Sequence, residues 1–258
     1  MSKTNKDSLG DRMKCYEAVP KVFLTRRTPV IMRLDGKTFH SFTKGFDKPF
    51  DFVMVNCMQR TMLELCKEIQ GCVLGYTQSD EITLVLQDYL KLDTDAWFGY
   101  NVQKMVSVAT SYATLAFDRS IRANLEWLKK DNTDGKWSNK IKLIERKLDK
   151  GAYFDCRVFN VPKEEVNNCL VWRQQDAERN SVNSLAQQYF SHKELQGVKV
   201  KALQDKLFTE KGINWNDLPT SEKRGSCAIK DEEGKWFIDK EIPIFTQDTE
   251  YVNNRIIF

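Results

Sequence analysis

The sequence predicts an α+β fold: a split βαβ core, in which a mostly antiparallel sheet carries helices on one face, followed by a mainly helical C-terminal extension. Three observations predict it. Along residues 28–161 the apolar patterning changes in the order strand, helix, hairpin, helix, strand, the order of a split βαβ arrangement. With 258 residues, 41% apolar and 29% charged, the chain can bury a sizeable core. Past Ser191 the pattern weakens to one short helical stretch and polar connections.

The first strand is the apolar run Thr28–Leu34, which ends at Asp35-Gly36, where glycine suits a change of chain direction. Val55, Met58, Met62, Leu65, Cys66 and Ile69 recur at three- and four-residue steps, predicting a helix over 52–70 stopped by Gly71. Two apolar runs, Cys72–Tyr76 and Ile82–Leu86, flank Thr77-Gln78-Ser79-Asp80-Glu81 and predict a hairpin with two acids at its tip. A second helix is expected over 98–128, with a break within it, then a polar turn at Asp131–Gly135. A last strand, Tyr153–Val161, precedes Pro162 and a helix reaching Tyr189. A short helix near Gly197–Thr209 and a loop near Asn214–Pro219 complete the chain up to the basic stretch Ser221-Glu222-Lys223-Arg224-Gly225. Residues 1–162 are thus expected to form the core and 163–258 the extension, as one compact unit.

Composition removes several functional classes. Seven cysteines fall without any C-x-x-C pair and read as free thiols of a reducing compartment. Two histidines, His40 and His192, leave little for a histidine-rich metal site or a histidine-relay hydrolase. The first residues lack an apolar core and include Asp7 and Asp11, against a leader peptide, and no run approaches the roughly 18 apolar residues of a membrane span. The expectation is a soluble cytoplasmic protein. Forty Lys and Arg against 36 Asp and Glu give a net charge of only +4, but residues 119–150 alone hold ten basic and five acidic side chains. That segment suits a polyanion as well as a solvated helix pair.

Carboxylates are the chemical resource that remains. In a split βαβ sheet the first and third strands are neighbours, so Asp35 can meet Asp80 and Glu81. Converging carboxylates repel unless a cation lies between them. Mg²⁺ suits such a place because it takes few carboxylates and completes its octahedron with phosphates and water. A pair of ions would clamp both oxygens of an in-line phosphoryl displacement. Neither G-x-x-x-x-G-K-[ST] nor G-x-G-x-x-G occurs. Asp35-Gly36-Lys37-Thr38-Phe39-His40 instead combines a glycine that frees backbone amides, a lysine, and an aromatic able to stack on a base, with Lys44 and Lys48 close behind.

Arg33-Leu34-Asp35-Gly36-Lys37-Thr38-Phe39-His40-Ser41-Phe42 resembles the nucleotide-binding signature of the tRNA-His guanylyltransferase family. Tyr76-Thr77-Gln78-Ser79-Asp80-Glu81 is similar to its second signature, Val171-Trp172-Arg173-Gln174-Gln175-Asp176 to its third, and Leu9-Gly10-Asp11-Arg12-Met13-Lys14 to the opening of its members. The resemblance implies a palm-like core that adds nucleotides to the 5′ end of tRNA in the 3′-to-5′ direction, by ATP-dependent 5′ activation and nucleotidyl transfer from ATP, GTP or other nucleoside triphosphates. It implies two Mg²⁺ ions on Asp35, Asp80 and the Gly36 carbonyl, with Glu81 beside them as a third catalytic acid. Lys37, Thr38, Phe39, His40, Lys48 and Ser79 would contact the nucleotide together with Gly36, and Arg157, Asn180, Lys223 and Arg224 the RNA. It also implies a homotetramer.

One departure narrows the branch. Where guanylyltransferases proper carry a histidine-led block, this sequence has Glu178-Arg179-Asn180-Ser181-Val182-Asn183. It thereby resembles the guanylyltransferase-like branch, which repairs 5′-truncated tRNA by copying the opposite acceptor strand. Addition of an untemplated G to histidine tRNA, and an RNA-binding protein without catalysis, are the alternatives; Glu178 argues against the first and the paired aspartates against the second.

Overall fold

The computed structural model describes residues 8–256. Helix α1 (Leu9–Ala18) starts at Ser8, whose Oγ accepts from the Asp11 amide, and buries none of its residues. Strand β1 (Val30–Gly36) leads into a single helical turn, α2 (Phe39–Phe42), and then α3 (Phe52–Glu68). Asp51 caps α3 by accepting from the amides of Val53 and Met54, the N-cap role for which a carboxylate is suited. The hairpin pairs β2 (Cys72–Gln78) with β3 (Glu81–Leu86), leaving only Ser79-Asp80 as its tip. Glu81 is therefore the first rung of the ladder rather than a tip residue.

The break expected within the second helix lies just before it. Phe98 and Gly99 adopt left-handed φ values of 50° and 59° in a short turn, Trp97–Tyr100, after which α4 (Val102–Asp131) runs for 30 residues. Then follow α5 (Ser138–Leu148), β4 (Phe154–Asn160) and α6 (Glu165–Tyr189). The remainder comprises α7 (His192–Leu195), α8 (Val200–Lys211), α9 (Thr220–Lys223), β5 (Ser226–Lys230), β6 (Trp236–Asp239) and α10 (Glu250–Asn253).

The six strands form one sheet in the order β4-β1-β3-β2-β5-β6, each neighbour antiparallel. Its first four strands have the predicted split βαβ arrangement, with β1 between β4 and β3. Alternation along β1 divides the interior. Val30, Met32 and Leu34 face α3 and α4, where Phe39, Phe117 and Phe154 meet at ring separations of 5.3–5.8 Å. Ile31 faces the other way, with Leu74, Tyr76 and Val85, onto Val166, Leu170 and Ala177 of α6. The core unit thus has its helices on one face, as expected, and the extension supplies the cover for the other.

The extension is less helical than the sequence predicts, because β5 and β6 prolong the sheet beyond β2. Gly225 makes this junction possible. Its φ is +88°, and a Cβ there would lie 2.4 Å from the Thr77 carbonyl oxygen, so only glycine lets β5 start directly against the hairpin.

Candidate active site

Register places the acids. On β1, Asp35 is opposite Glu81 of β3 on one side and Asp155 of β4 on the other. The Gly36 amide donates to the Asp80 carbonyl at 3.0 Å, which ties the hairpin tip to the end of β1. Ser79 holds the tip in a left-handed conformation, φ 57°, and its hydroxyl donates to Asp80 Oδ1 at 3.0 Å. Asp35 and Asp80 are thus brought together as the sequence predicts. Partial burial, and then the charges of Asp80 and Asp155, push the Asp35 carboxyl above the ordinary carboxylate range, against the opposing pull of Arg157 and Arg33. This edge of the sheet carries excess negative charge.

Glu81 does not join Asp35 as a free acid. Both of its oxygens accept from Nη1 of Arg173, at 3.1 and 2.8 Å, and Nη2 of the same guanidinium donates to Asp176 at 3.1 Å. Burial raises the Glu81 carboxyl, and Arg173 pulls it back. Glu81 therefore anchors α6 to the sheet beside the site. Arg33 and Arg173 both lie over the Trp172 ring, at 5.5 and 3.7 Å from its centroid. Sequence reasoning gave no site role to Arg33, Arg173 or Asp176, although all three lie in the matched segments. Period-two alternation on β1 could have found Arg33, which shares the face of Asp35.

The loop after β1 supplies donors. The Lys37 amide bonds the Tyr153 carbonyl at 2.8 Å, but those of Thr38, Phe39 and His40 have no protein acceptor among the described residues. Thr38 makes the turn with a left-handed φ of 53°. A Cβ on Gly36 would sit 2.3 Å from the Phe39 ring, so glycine is required for this packing. The Phe39 ring itself is only 2% exposed and touches Phe42, Phe117 and Phe154. The predicted stacking of Phe39 on a base is therefore corrected: the turn buries that ring to pull the chain across Gly36, and what remains for a ligand is its amide.

Two cavities meet at the hairpin tip. One, of about 320 Å³, is lined by His40, Lys48, Asp51, Gln59, Ser184 and Ser226 among others; the second, of about 220 Å³, holds Asp35, Glu81, Arg173 and Asp176. Gln78, Ser79, Asp80 and Asn180 belong to both, so the tip is a shared wall. The first cavity is braced by Lys140, whose ammonium bonds Asp47 and, at 2.7 Å, the buried cap Asp51. His40, Lys48, Ser79 and Asn180 are exposed on the cavity walls, and Lys37 and Thr38 are exposed in the turn before them.

Of the four residues expected to meet RNA, Asn180 and Arg157 are accessible, Arg157 being paired with Asp155 at 3.2 Å. Lys223 and Arg224 are not free, and this corrects the prediction. The Lys223 ammonium is buried against the Asn216 carbonyl and the Trp215 ring. Arg224 Nε donates to Glu178 at 2.9 Å, while its carbonyl accepts from the Tyr76 hydroxyl at 2.6 Å. The basic run instead locks β5 and α6 against the hairpin.

The donors at this edge are too few to enclose a cation by protein alone. Among the described residues no group of three or more His, Cys, Asp or Glu is arranged to hold a metal. Two carboxylates and a carbonyl are a donor set that fits Mg²⁺, which leaves its other positions to phosphate and water.

A palm-like sheet with paired aspartates beside open amides defines the class: an α+β core suited to nucleotidyl transfer. Residues 10–162, more than half of the chain, match the family model described as Thg1, tRNAHis guanylyltransferase, and the chain belongs to that family. It is 28% identical to the probable tRNA(His) guanylyltransferase of Dictyostelium discoideum over 216 residues, covering 78% of this chain and 75% of that protein. An uncharacterized protein of Acanthamoeba polyphaga mimivirus, R259, is 28% identical over 237 residues, 87% of this chain and 77% of its own. In structure the chain is similar to a bacterial tRNA(His) guanylyltransferase (Thg1)-like protein in complex with ATP, with a TM-score of 0.85, 43% identity and coverage of 97% of this chain and 100% of that one. A bacterial Thg1-like protein in complex with GTP gives 0.78, 38%, 98% and 100%.

Proposed function

We propose that this protein is a template-dependent 3′-to-5′ nucleotide-adding enzyme that repairs 5′-truncated tRNA. The observation that carries the reading is the meeting of Asp35 and Asp80 at the mouth of two adjoining cavities, beside the unpaired amides of Thr38, Phe39 and His40. The bacterial proteins of the same fold, solved in complex with ATP and with GTP, support nucleoside triphosphates as substrates.

In the reaction, a 5′-monophosphate oxygen of the tRNA attacks the α-phosphorus of ATP, and pyrophosphate leaves. The 3′-hydroxyl of the incoming nucleotide then attacks the activated 5′-phosphate, a phosphodiester forms, and AMP leaves. A 5′-triphosphate end enters at the second step with pyrophosphate as the leaving group. Asp35, Asp80 and the Gly36 carbonyl would hold two Mg²⁺ ions, whose chemistry is to neutralise phosphoryl oxygens and stabilise attacking and leaving oxygens. The amides of residues 38–40 bind phosphate oxygens, Lys37, His40 and Lys48 contribute charge and donors, and Ser79 orients Asp80. Asn180 and Arg157 reach the RNA.

Glu178 supports templating. Its pairing with Arg224 removes both side chains from recognition of one particular nucleotide, and Watson–Crick pairing then makes the choice. The exposed apolar residues Leu9, Met13 and Tyr16 of α1, with Val19, Phe23 and Leu92, support association of copies, and we read the assembly as a homotetramer. Free cysteines support a cytoplasmic location, and no helix among the described residues is long and apolar enough to cross a membrane. The test uses Mg²⁺, ATP, all four nucleoside triphosphates and tRNAs lacking the first 5′ nucleotide. Restoration of the base complementary to the opposite strand is expected. Addition of G whatever that base would move the protein to histidine-tRNA guanylylation, and no product from either end type would make it an RNA-binding protein.

A further inference from the structure

A second basic surface adjoins the site and is used by nothing described above. Lys44, Arg146 and Lys150 gather around Lys147, whose ammonium is lowered below the ordinary lysine range by partial burial first and then by the charges of Lys150, Arg146 and Lys44. Lys147 Nζ donates to the Ser41 carbonyl at 2.9 Å, which fastens the C-terminal end of α5 to the turn that follows Gly36. The acids nearby are engaged elsewhere. Glu145 pairs with Lys129 at 3.0 Å, and Asp47 and Asp51 with Lys140. Asp149 is the one carboxylate at this end of α5 without an ion pair among the described residues, so four cations face one acid.

Beside them stands an aromatic with an open face. Tyr153 is 58% exposed, and its ring lies over Gly151, where a Cβ would be 3.5 Å from it. The Gly151 amide in turn bonds the Lys147 carbonyl at 3.1 Å, and the Tyr153 carbonyl holds the Lys37 amide. Two residues further along is Asp155, opposite Asp35. Cations and ring thus form one continuous surface that ends at the carboxylate edge.

We infer that this surface is a docking track for an RNA strand: Lys44, Arg146, Lys147 and Lys150 grip successive backbone phosphates, and Tyr153 stacks on the base nearest the reacting end. Cations without ion pairs beside an exposed aromatic are the chemistry that binds a single-stranded or frayed end irrespective of sequence. The inference rests on the proposed action at an RNA 5′ end and adds the path by which that end arrives.

The experiment measures binding of a 5′-phosphorylated acceptor-stem RNA hairpin by fluorescence anisotropy across a salt series, and binding of ATP and GTP without RNA. In Lys44→Ala/Arg146→Ala the RNA affinity should fall at low salt, and the slope of log K against log salt should flatten by about 0.7–0.9 per lost contact. Tyr153→Ala should weaken RNA binding about tenfold with the slope unchanged, and Tyr153→Phe should restore it. Thermal melting of each variant checks the fold, and nucleotide affinities should stay at the wild-type value. An unchanged salt slope, or a loss of ATP affinity with RNA affinity intact, overturns the inference, the latter by making the occupant a free triphosphate. Failure of the wild-type protein itself to bind the hairpin would instead remove the functional reading beneath it.

Discussion

The two faces of β1 differ as sharply as any two regions of the molecule. Toward α3 and α4 the strand presents Val30, Met32 and Leu34, and the turn beyond it drives Phe39 into Phe117 and Phe154. Toward α6 it presents Ile31, then Arg33, then Asp35, so the same seven residues pass from apolar to charged along one side only. The contrast teaches how a reactive edge is kept in place. Burial of the Asp35 carboxylate, and then its repulsion from Asp80 and Asp155, oppose folding locally, and the dry face opposite provides the compensation.

If that division is right, changes on the two faces should separate activity from stability. Asp80→Ala should lower nucleotide addition by about 10³-fold or more while leaving the melting temperature near wild type, since the residue lies at a two-residue hairpin tip. Retained activity would remove the aspartate pair from the chemistry. Phe117→Ala, on the dry face, should cost about 3–5 kcal/mol in denaturant unfolding by opening a void among three rings. Arg173→Ala should cost about 2–4 kcal/mol, because it leaves the partly buried Glu81 without its partner. A neutral outcome would show that Glu81 finds solvent and that α6 is not anchored there.

The smallest effect tests the charge directly. A carboxyl raised in the folded state is strained when ionised, so at neutral pH Asp35→Asn should melt slightly higher than wild type. The gain should shrink as pH falls through the raised pKa, where the native acid becomes protonated anyway. Mg²⁺ should raise the melting temperature of the wild type and not of Asp35→Asn. An Asp35→Asn protein that melts lower at neutral pH would contradict the account of an overcharged edge.

Much of this arrangement was legible in the chain. The Asp-Gly after an apolar run located β1, and the split βαβ order alone put Asp35 beside the hairpin. The fates of Phe39 and Arg224 were not legible because their burial depends on what packs from far along the sequence, and that of Lys223 because the fold of the loop before it sets its surroundings. Arg224 meets Glu178, 46 positions away, and Lys223 fills a gap beside Trp215. β5 escaped notice for a similar reason. Ser226–Lys230 is only five residues, and it becomes a strand because the hairpin offers it an unpaired edge.

Strand β4 ends the sheet on one side, with β1 as its only strand partner among the described residues. An unpaired strand margin invites other chains to add to it, and natural proteins deter this with charge. Asp155 and Arg157 lie on this edge strand, half-exposed and paired with each other. The residues that flank the reacting end would thus also keep concentrated copies from fusing strand to strand. Neutralising both should make the protein aggregate before it unfolds.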